Sequence, residues 1–378
     1  MKVRKELSRK LKKRITIKIG SSCITKDLGG VDSKKLNKIV KDIAFFKKEG
    51  FEVVLVCSGA IQTGREILNF NKKGQSVTTL QALSSVGQVR LIHELAKAFQ
   101  KENYSISQIL LNHQDFKHNK SYLNIKNTIE LLLENNVIPI INENDTVSFE
   151  EITFGDNDQL AVMTCELLNI NTLLILTSVD GIYDSNPDIN LNAKIIPEIN
   201  SDIIKGRIKL KGKSKSGTGG MDSKFIAISM GAKFGVTTLI GTYKKANPLQ
   251  RLLYSSVGTI YHAEERILSS RKNRLLALAQ KDKYVMIDEG AESALSKGAS
   301  LLATGIKKVE GTFKRGDCLL VKKGKKIIAA GLCEYSSKEL KVYLQDKSTK
   351  KEVKNIDTNN DLFKIFIHRN NMSFKISQ

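Results

Sequence analysis

The sequence predicts an α/β protein built on a mostly parallel sheet with helices on both faces, followed by a small β-rich domain. Two patterns carry this reading. From residue 15 to about residue 262, short β-branched runs alternate with helix-length stretches, as βαβ units require. From Lys283 onward the segments are short, β-rich and punctuated by glycine, which suits a β-barrel of small size. The 41% hydrophobic content of the 378 residues is enough to fill real cores, so general disorder is excluded. No apolar run approaches the roughly 20 residues of a membrane-spanning helix.

Taken in order, residues 1–14 form a basic N-terminal extension without the apolar core of a signal peptide. Residues 15–262 form the α/β domain, with strands expected at Ile15–Ile19, Glu52–Val56, Ile106–Leu111, Val137–Ile141, Thr172–Leu176 and Val236–Ile240. Helices are expected at about Ser33–Lys48, Thr79–Lys101, Asn119–Asn135, Asp158–Leu168 and Met221–Phe234. Residues 263–282 are charged and suit a linker. Residues 283–373 form the barrel-like domain, with strands expected at Tyr284–Ile287, Cys318–Val321, Lys326–Ala330, Leu340–Leu344 and Phe363–Ile367.

The net charge of +22 divides as +7, +7 and +8 over residues 1–14, 15–280 and 281–378. Apart from the extension it is spread along the chain, which weakens a nucleic-acid reading. The five cysteines are scattered and never form a CxxC pair, so a disulfide framework and a thiolate metal site are both disfavoured and a reducing cytoplasm is expected. The five histidines show no HExxH spacing.

In a parallel α/β sheet, ligands sit at the carboxyl ends of the strands. There the sequence places Lys18-Ile19-Gly20-Ser21-Ser22, Cys57-Ser58-Gly59-Ala60, Asn142-Glu143-Asn144-Asp145 and Thr177-Ser178-Val179-Asp180-Gly181, with Gly155-Asp156-Asn157-Asp158 opening a helix. Small residues at such points let backbone N–H groups approach a phosphate. Lys18 is the odd residue in an otherwise Ile/Thr strand and is read as facing the ligand. A glycine-rich loop, Gly212 to Gly220, leads into Met221-Asp222-Ser223-Lys224 at a helix start, which suits a polyphosphate. Walker A, GxGxxG and GxSxG patterns all fail. The residues by themselves therefore point to phosphoryl transfer by a kinase without a Walker loop and leave the acceptor open.

These motifs, in this order, resemble the glutamate 5-kinase branch of the amino acid kinase family, through Lys18-Ile19-Gly20-Ser21-Ser22, Ser58-Gly59-Ala60-Ile61 with Gly64-Arg65, Val86-Gly87-Gln88, Asn142-Glu143-Asn144-Asp145, Gly155-Asp156-Asn157-Asp158, Asp180-Gly181-Ile182-Tyr183 and Gly217-Thr218-Gly219-Gly220-Met221 with Lys224. Asp288-Glu289-Gly290-Ala291 and Gly298-Ala299-Ser300-Leu301-Leu302 look like a PUA domain. The resemblance implies an amino acid kinase-like αβα sandwich followed by a PUA-like barrel, and transfer of the ATP γ-phosphoryl group, with Mg²⁺, to the side-chain carboxylate of L-glutamate at the start of proline synthesis. It further implies that Ser58, Asp145 and Asn157 bind glutamate. Lys18, Thr177, Ser178, Thr218, Gly219, Gly220, Met221, Asp222, Ser223 and Lys224 would bind ATP. Lys18 and Lys224 would neutralise the transferring group, held in place by Asp156. Dimers or tetramers are implied as well.

One departure is visible: where the family usually has Thr-Asp, this chain has Thr177-Ser178, and Asp180 lies two residues on. The alternatives are a related kinase acting on N-acetylglutamate or aspartate, or an RNA-binding protein using the basic C-terminal domain. For the latter, Lys307-Lys308, Lys322-Lys323 and Lys325-Lys326 are the candidate phosphate contacts.

Overall fold

The computed structural model describes residues 13–70, 76–147, 157–185, 187, 189–200, 221–264, 282–324, 326–348 and 365–374. The chain divides into two compact units: Met1–Phe116 with Ile125–Arg266, and Lys117–Asn124 with Ile267–Gln378.

In the first unit the strands are β1 Arg14–Ile19, β2 Glu52–Cys57, β3 Ile106–Leu111, β4 Ile138–Glu143, β5 Thr172–Thr177, β6 Glu198–Ile199, β7 Thr237–Thr242 and β8 Thr259–Tyr261. They form a sheet in the order β3-β4-β2-β1-β5-β7-β8-β6. All pairings are parallel except β7 with β8. After β1 the chain fills one side of the sheet through β2, β3 and β4, then crosses to β5 on the other. The switch of direction lies at β1, and in such sheets the crevice for a ligand opens there at the carboxyl ends.

β1 is central and buried on both faces: Ile15, Ile17 and Ile19 are fully buried on one and Thr16 and Lys18 are buried on the other, each isoleucine contributing roughly 1.5–3 kcal/mol. Helix α1, Ser33–Lys48, begins where the Asp32 carboxylate accepts hydrogen bonds from the backbone of Lys34 and Lys35, capping donors that the helix leaves unpaired. Its buried Leu36, Ile39, Val40 and Ile43 follow helical spacing.

Two further helices, α2 Ala60–Ile67 and α3 Val77–Gln100, pack so closely that glycine is required at both contact points. A Cβ on Gly64 would lie 1.9 Å from the Leu83 carbonyl oxygen, and one on Gly87 would lie 1.9 Å from that of Ala60. Helix α2 was not anticipated from its pattern. It starts at Gly59, whose φ of +120° disfavours any residue with a side chain.

The remaining helices up to residue 266 are α4 His113–Lys117, α5 Asn119–Glu134, α6 Asn157–Leu168, α7 Met221–Lys233 and α8 Pro248–Tyr254, with the end of α4 and the start of α5 falling in the Lys117–Asn124 segment of the second unit. Strand β4 runs on through Asn142 and Glu143, so half of the Asn142–Asp145 motif is strand rather than loop. Arg14, assigned to the extension, starts β1 and pairs with Glu52 and Glu130.

The second unit holds β9 Tyr284–Ile287, α9 Glu289–Ser296, β10 Leu301–Leu302, β11 Ile306–Glu310, β12 Cys318–Lys323, β13 Lys326–Leu332, α10 Ser337–Ser348, β14 Ile365–Ile367 and β15 Met372–Phe374. Five strands form a sheet in the order β11-β9-β12-β13-β15, and β10 pairs with β14. Val285, Leu319, Val321, Ala329, Leu340 and Phe366 are among its buried core residues.

The strand expected at Leu340–Leu344 is instead part of helix α10. Leu340, Tyr343 and Leu344 pack on the core at helical spacing. Upstream, the Ser336 hydroxyl accepts from the Glu339 N–H while the Glu339 carboxylate accepts from the Ser336 N–H. This reciprocal capping box starts a helix, and it outweighs the β-like look of the Val342-Tyr343-Leu344 run.

Candidate functional site

Lys18 lies near the carboxyl end of β1, with its side chain only 6% exposed, and its Nζ is 2.7 Å from Asp158 Oδ1. From α7, Lys224 Nζ donates to Asp158 Oδ2 at 2.5 Å. Two ammonium groups from distant parts of the chain thus share one buried carboxylate. With both lysines protonated the cluster carries one net positive charge. Burial alone would push the Asp158 carboxyl up, but the two ammonium groups prevail and hold it well below the usual carboxylate range. Burial lowers the Lys18 ammonium against the opposing pull of Asp158, and repulsion from Lys224 adds to that lowering. An anion arriving between the lysines would relieve both penalties.

Asn157, one residue earlier on α6, faces a different set of partners. Its Nδ2 donates to the Cys57 carbonyl at 3.0 Å, Ser58 Oγ at 2.6 Å and Asn142 Oδ1 at 3.0 Å. Asn142 Nδ2 in turn donates to Gln88 Oε1 at 2.7 Å. Because Ser58 Oγ accepts from Asn157, its hydroxyl proton remains for a further acceptor. Asn157 Oδ1 is buried and makes no hydrogen bond, so a donor ligand is needed to satisfy it. Asp145 Oδ2 accepts from Ser84 Oγ at 2.7 Å. Burial pushes the Asp145 carboxyl up, opposed by that bond, a state that a nearby cation would relieve.

The start of α6 therefore joins two half-sites across one peptide bond. Asn157 belongs to a neutral amide and hydroxyl network, and Asp158 to a charged lysine pair. The positive end of the helix dipole lies at the same place.

Along the same sheet edge, a cavity of about 330 Å³ is lined by Asp180, Gly241, Thr242, Lys245, Arg251 and Ser256 among others. Asp180 lines it, whereas Ser178 is exposed and does not. Thr177 ends β5 and is buried, and its carbonyl accepts from the Tyr243 N–H at 3.1 Å. Cys57 is fully buried with its thiol pushed up to about 12, the state of an inert packing residue.

Of the residues singled out in the sequence, Lys18 and Lys224 are brought together, as are Ser58 and Asn157. Ser223 lies in α7 beside Lys224, and Met221 and Asp222 open that helix. Thr218, Gly219, Gly220 and Asp156 lie outside the described residues. Among the described residues, the carboxylate that meets both lysines is Asp158, which the sequence reading did not single out; the expected role of Asp156 falls outside the described residues. Asn142, Gln88 and Ser84 were also missed as site residues, although the first two sit in motifs that had been noticed. Among the described residues no group of three or more His, Cys, Asp or Glu side chains could hold a metal ion. Both Asp158 oxygens already face ammonium groups, so this carboxylate is committed elsewhere.

In the second unit, three of the five described candidate phosphate-binding lysines are engaged. Lys308 pairs with Glu310, Lys323 with Glu292 and Glu289, and Lys322 lies 3.7 Å from the ring centroid of Tyr284. Lys325 lies outside the described residues.

Residues 13–240 match the sequence pattern of the Amino acid kinase family, and residues 283–355 match that of the PUA domain. The glutamate 5-kinase of Dictyoglomus thermophilum is 40% identical over 365 residues, covering 95% of this chain and 97% of that protein. The glutamate 5-kinase of Geobacter sulfurreducens is 37% identical over 342 residues, covering 89% and 91%. That of Thermoanaerobacter pseudethanolicus is 39% identical over 332 residues, covering 86% and 89%. Among solved structures, the UMP kinase of Ureaplasma parvum superposes with a TM-score of 0.47 at 19% identity, over 66% of this chain and 98% of that one. A parallel sheet with paired lysines at its switch point, followed by a PUA domain and joined to full-length similarity of this kind, places the chain in the amino acid kinase family, in its glutamate 5-kinase branch.

Proposed function

We propose that this chain transfers the γ-phosphoryl group of ATP to the side-chain carboxylate of L-glutamate, giving γ-glutamyl phosphate for proline synthesis. The observation that carries the reading is the junction at Asn157 and Asp158, where an uncharged polar pocket adjoins a buried lysine pair.

The chemistry follows from that arrangement. A carboxylate is already ionised at neutral pH, so no general base is needed, and the obstacle is bringing two anions together. Lys18 and Lys224, oriented by Asp158, lower that barrier by neutralising charge on the transferring group. Ser58 offers its hydroxyl proton to the amino acid. Asn157 Oδ1 and Asp145 supply acceptors for its α-ammonium group, which an N-acetylated substrate would lack. The 330 Å³ cavity would receive the nucleotide base or ribose, with Asp180 standing in for the acid missing at Ser178. The Gly217–Lys224 segment would carry the phosphates. Mg²⁺ would arrive on the nucleotide phosphates, since Asp158 is committed to the lysines.

A cytoplasmic setting is supported by five free, buried cysteines. Among the described residues no helix is long and apolar enough to cross a membrane.

The test is acyl-phosphate formation from L-glutamate and MgATP, trapped with hydroxylamine, with N-acetylglutamate and aspartate as parallel acceptors and Lys18→Ala as the blank. Product with glutamate alone, absent in the variant, is expected. Product with N-acetylglutamate in preference to glutamate would overturn the assignment of the acceptor.

A further inference from the structure

Helix α1 carries a polar stripe that neither the phosphate chemistry nor the core explains. Lys35, Lys38 and Asp42 are spaced i, i+3 and i+7 and so share one face. All three reach out of the helix toward the carboxyl edge of the sheet, Lys35 and Lys38 to loop carbonyls and Asp42 to the first turn of α8. Lys35 Nζ donates to the Thr25 carbonyl at 2.9 Å and to that of Ser22 at 3.4 Å, and lies 5.6 Å from the ring centroid of Tyr243. Lys38 Nζ donates to the carbonyls of Tyr243 and Lys244 at 3.2 and 3.3 Å. Asp42 is 2% exposed. Its Oδ2 accepts from the backbone N–H of Leu249 at 2.5 Å and of Gln250 at 3.4 Å, while Oδ1 accepts from Gln250 Nε2 at 2.7 Å.

The bonded residues interleave with the wall of the cavity. Thr242, Lys245, Pro248 and Arg251 line it, and Lys38 and Asp42 hold Tyr243, Lys244, Leu249 and Gln250 between them. Asn247 takes a left-handed φ of +44° within this segment, a conformation that asparagine adopts more readily than other residues with a side chain. The carbonyls and amides that Lys38 and Asp42 engage lie on both sides of Asn247.

We propose that Lys38 and Asp42 are positioning residues that clamp the segment from Tyr243 to Gln250 and so shape the cavity for nucleotide. The inference rests on the reading of that cavity as the nucleotide site. Neither side chain touches the reacting groups; each acts through the backbone it holds.

The test compares Lys38→Met, Lys38→Arg, Asp42→Ala and the double variant Lys38→Met/Asp42→Ala in the full-length chain. Ser256→Trp, which fills the cavity, serves as a separate arm. Lys38→Met and Asp42→Ala are expected each to raise KM for ATP roughly tenfold, with kcat within about threefold and KM for glutamate unchanged. Lys38→Arg, which retains the donors, is expected to restore KM for ATP. The double variant should resemble one single variant more than the product of the two, because both hold one segment. If Ser256→Trp raises KM for ATP while Lys38→Met leaves it unchanged, the positioning role is overturned and the cavity reading stands. If Ser256→Trp leaves KM for ATP unchanged, the cavity reading itself falls. An equal rise of both KM values with a lowered Tm would show that the stripe is merely structural and would also overturn the proposal. Lys38→Met decides the matter if Asp42→Ala fails to fold.

Discussion

Lys18 in the first unit and Lys323 in the second carry the same ammonium group in opposite surroundings. The Lys18 side chain is 6% exposed and shares a 2% exposed carboxylate with Lys224. Lys323 is 33% exposed and faces Glu292 and the almost fully exposed Glu289. Desolvation separates the two cases. A charge in water gains little from a neighbour, because screening and side-chain entropy nearly cancel the attraction. A charge withheld from water must be matched by geometry, and removing one partner leaves the others stranded. The high lysine content is therefore a poor guide to function, and burial beside a carboxylate is a good one.

The largest expected effect lies at the buried end of this comparison. Lys18→Ala and Lys224→Ala should each lower kcat by roughly 10²–10³-fold with modest change in KM for glutamate, measured by steady-state kinetics. A change confined to KM would assign these lysines to ground-state binding instead.

Asp158→Asn should follow, since the shape is kept but two buried ammonium groups lose their counter-charge. A loss on the order of 3–5 kcal/mol in unfolding free energy is expected, read by denaturant titration. The sign with pH is fixed by the direction of the shift. Asp158 is held below its unfolded value, so its contribution is fully present above the ordinary carboxylate range and is lost as pH falls through the depressed folded-state value. Below about pH 4, the usual Asp range, the parent chain should lose stability more steeply than Asp158→Asn. Parallel slopes would place the stabilising charge elsewhere.

Gly87→Ala comes next, because its added carbon would meet the Ala60 backbone at 1.9 Å and side-chain rotation cannot relieve it. A loss of about 2–4 kcal/mol is expected, with KM for glutamate raised because α2 begins beside Ser58. An unchanged Tm would mean that the two helices can separate at little cost.

At the exposed end, Lys323→Ala should leave Tm and kcat unchanged within error. Lys322→Ala should cost under about 1 kcal/mol through the lost contact with Tyr284. If the second unit binds RNA through these lysines, the affinity should be weak and should fall steeply with salt. A salt-insensitive, sequence-selective affinity would break the comparison and reveal a recognition surface that lysine pairing conceals.

Much of the fold was legible because it rests on local pattern. The β-branched runs at Ile15–Ile19 and Thr172–Leu176 and the apolar stripe of α1 bury what their spacing says they should. Where competing local signals were close, reading failed. Leu340–Leu344 has strand-like composition, and the capping box at Ser336 and Glu339 decided for helix. Helix α2 is short and amphipathic, and its start depends on a single glycine conformation at Gly59.

The site divides along the same line. The residue types and their order along the chain determined the chemistry: lysines and small residues at strand ends, with acids and amides opening a helix. Order along the chain did not single out Asp158, because Asp156 and Asp158 stand two residues apart in one motif. The direction of the Asp158 side chain follows from how α6 packs on β1, and no local pattern encodes that. The polar stripe of α1 is the same kind of case. Nothing local in the sequence marks the partners of Lys38 and Asp42, and only the return of the chain some 200 residues later supplies the carbonyls and amides that they hold. Long-range contacts are set by the closing of the whole sheet, so the tertiary structure alone decided which charges are buried, which are paired, and which loops they hold.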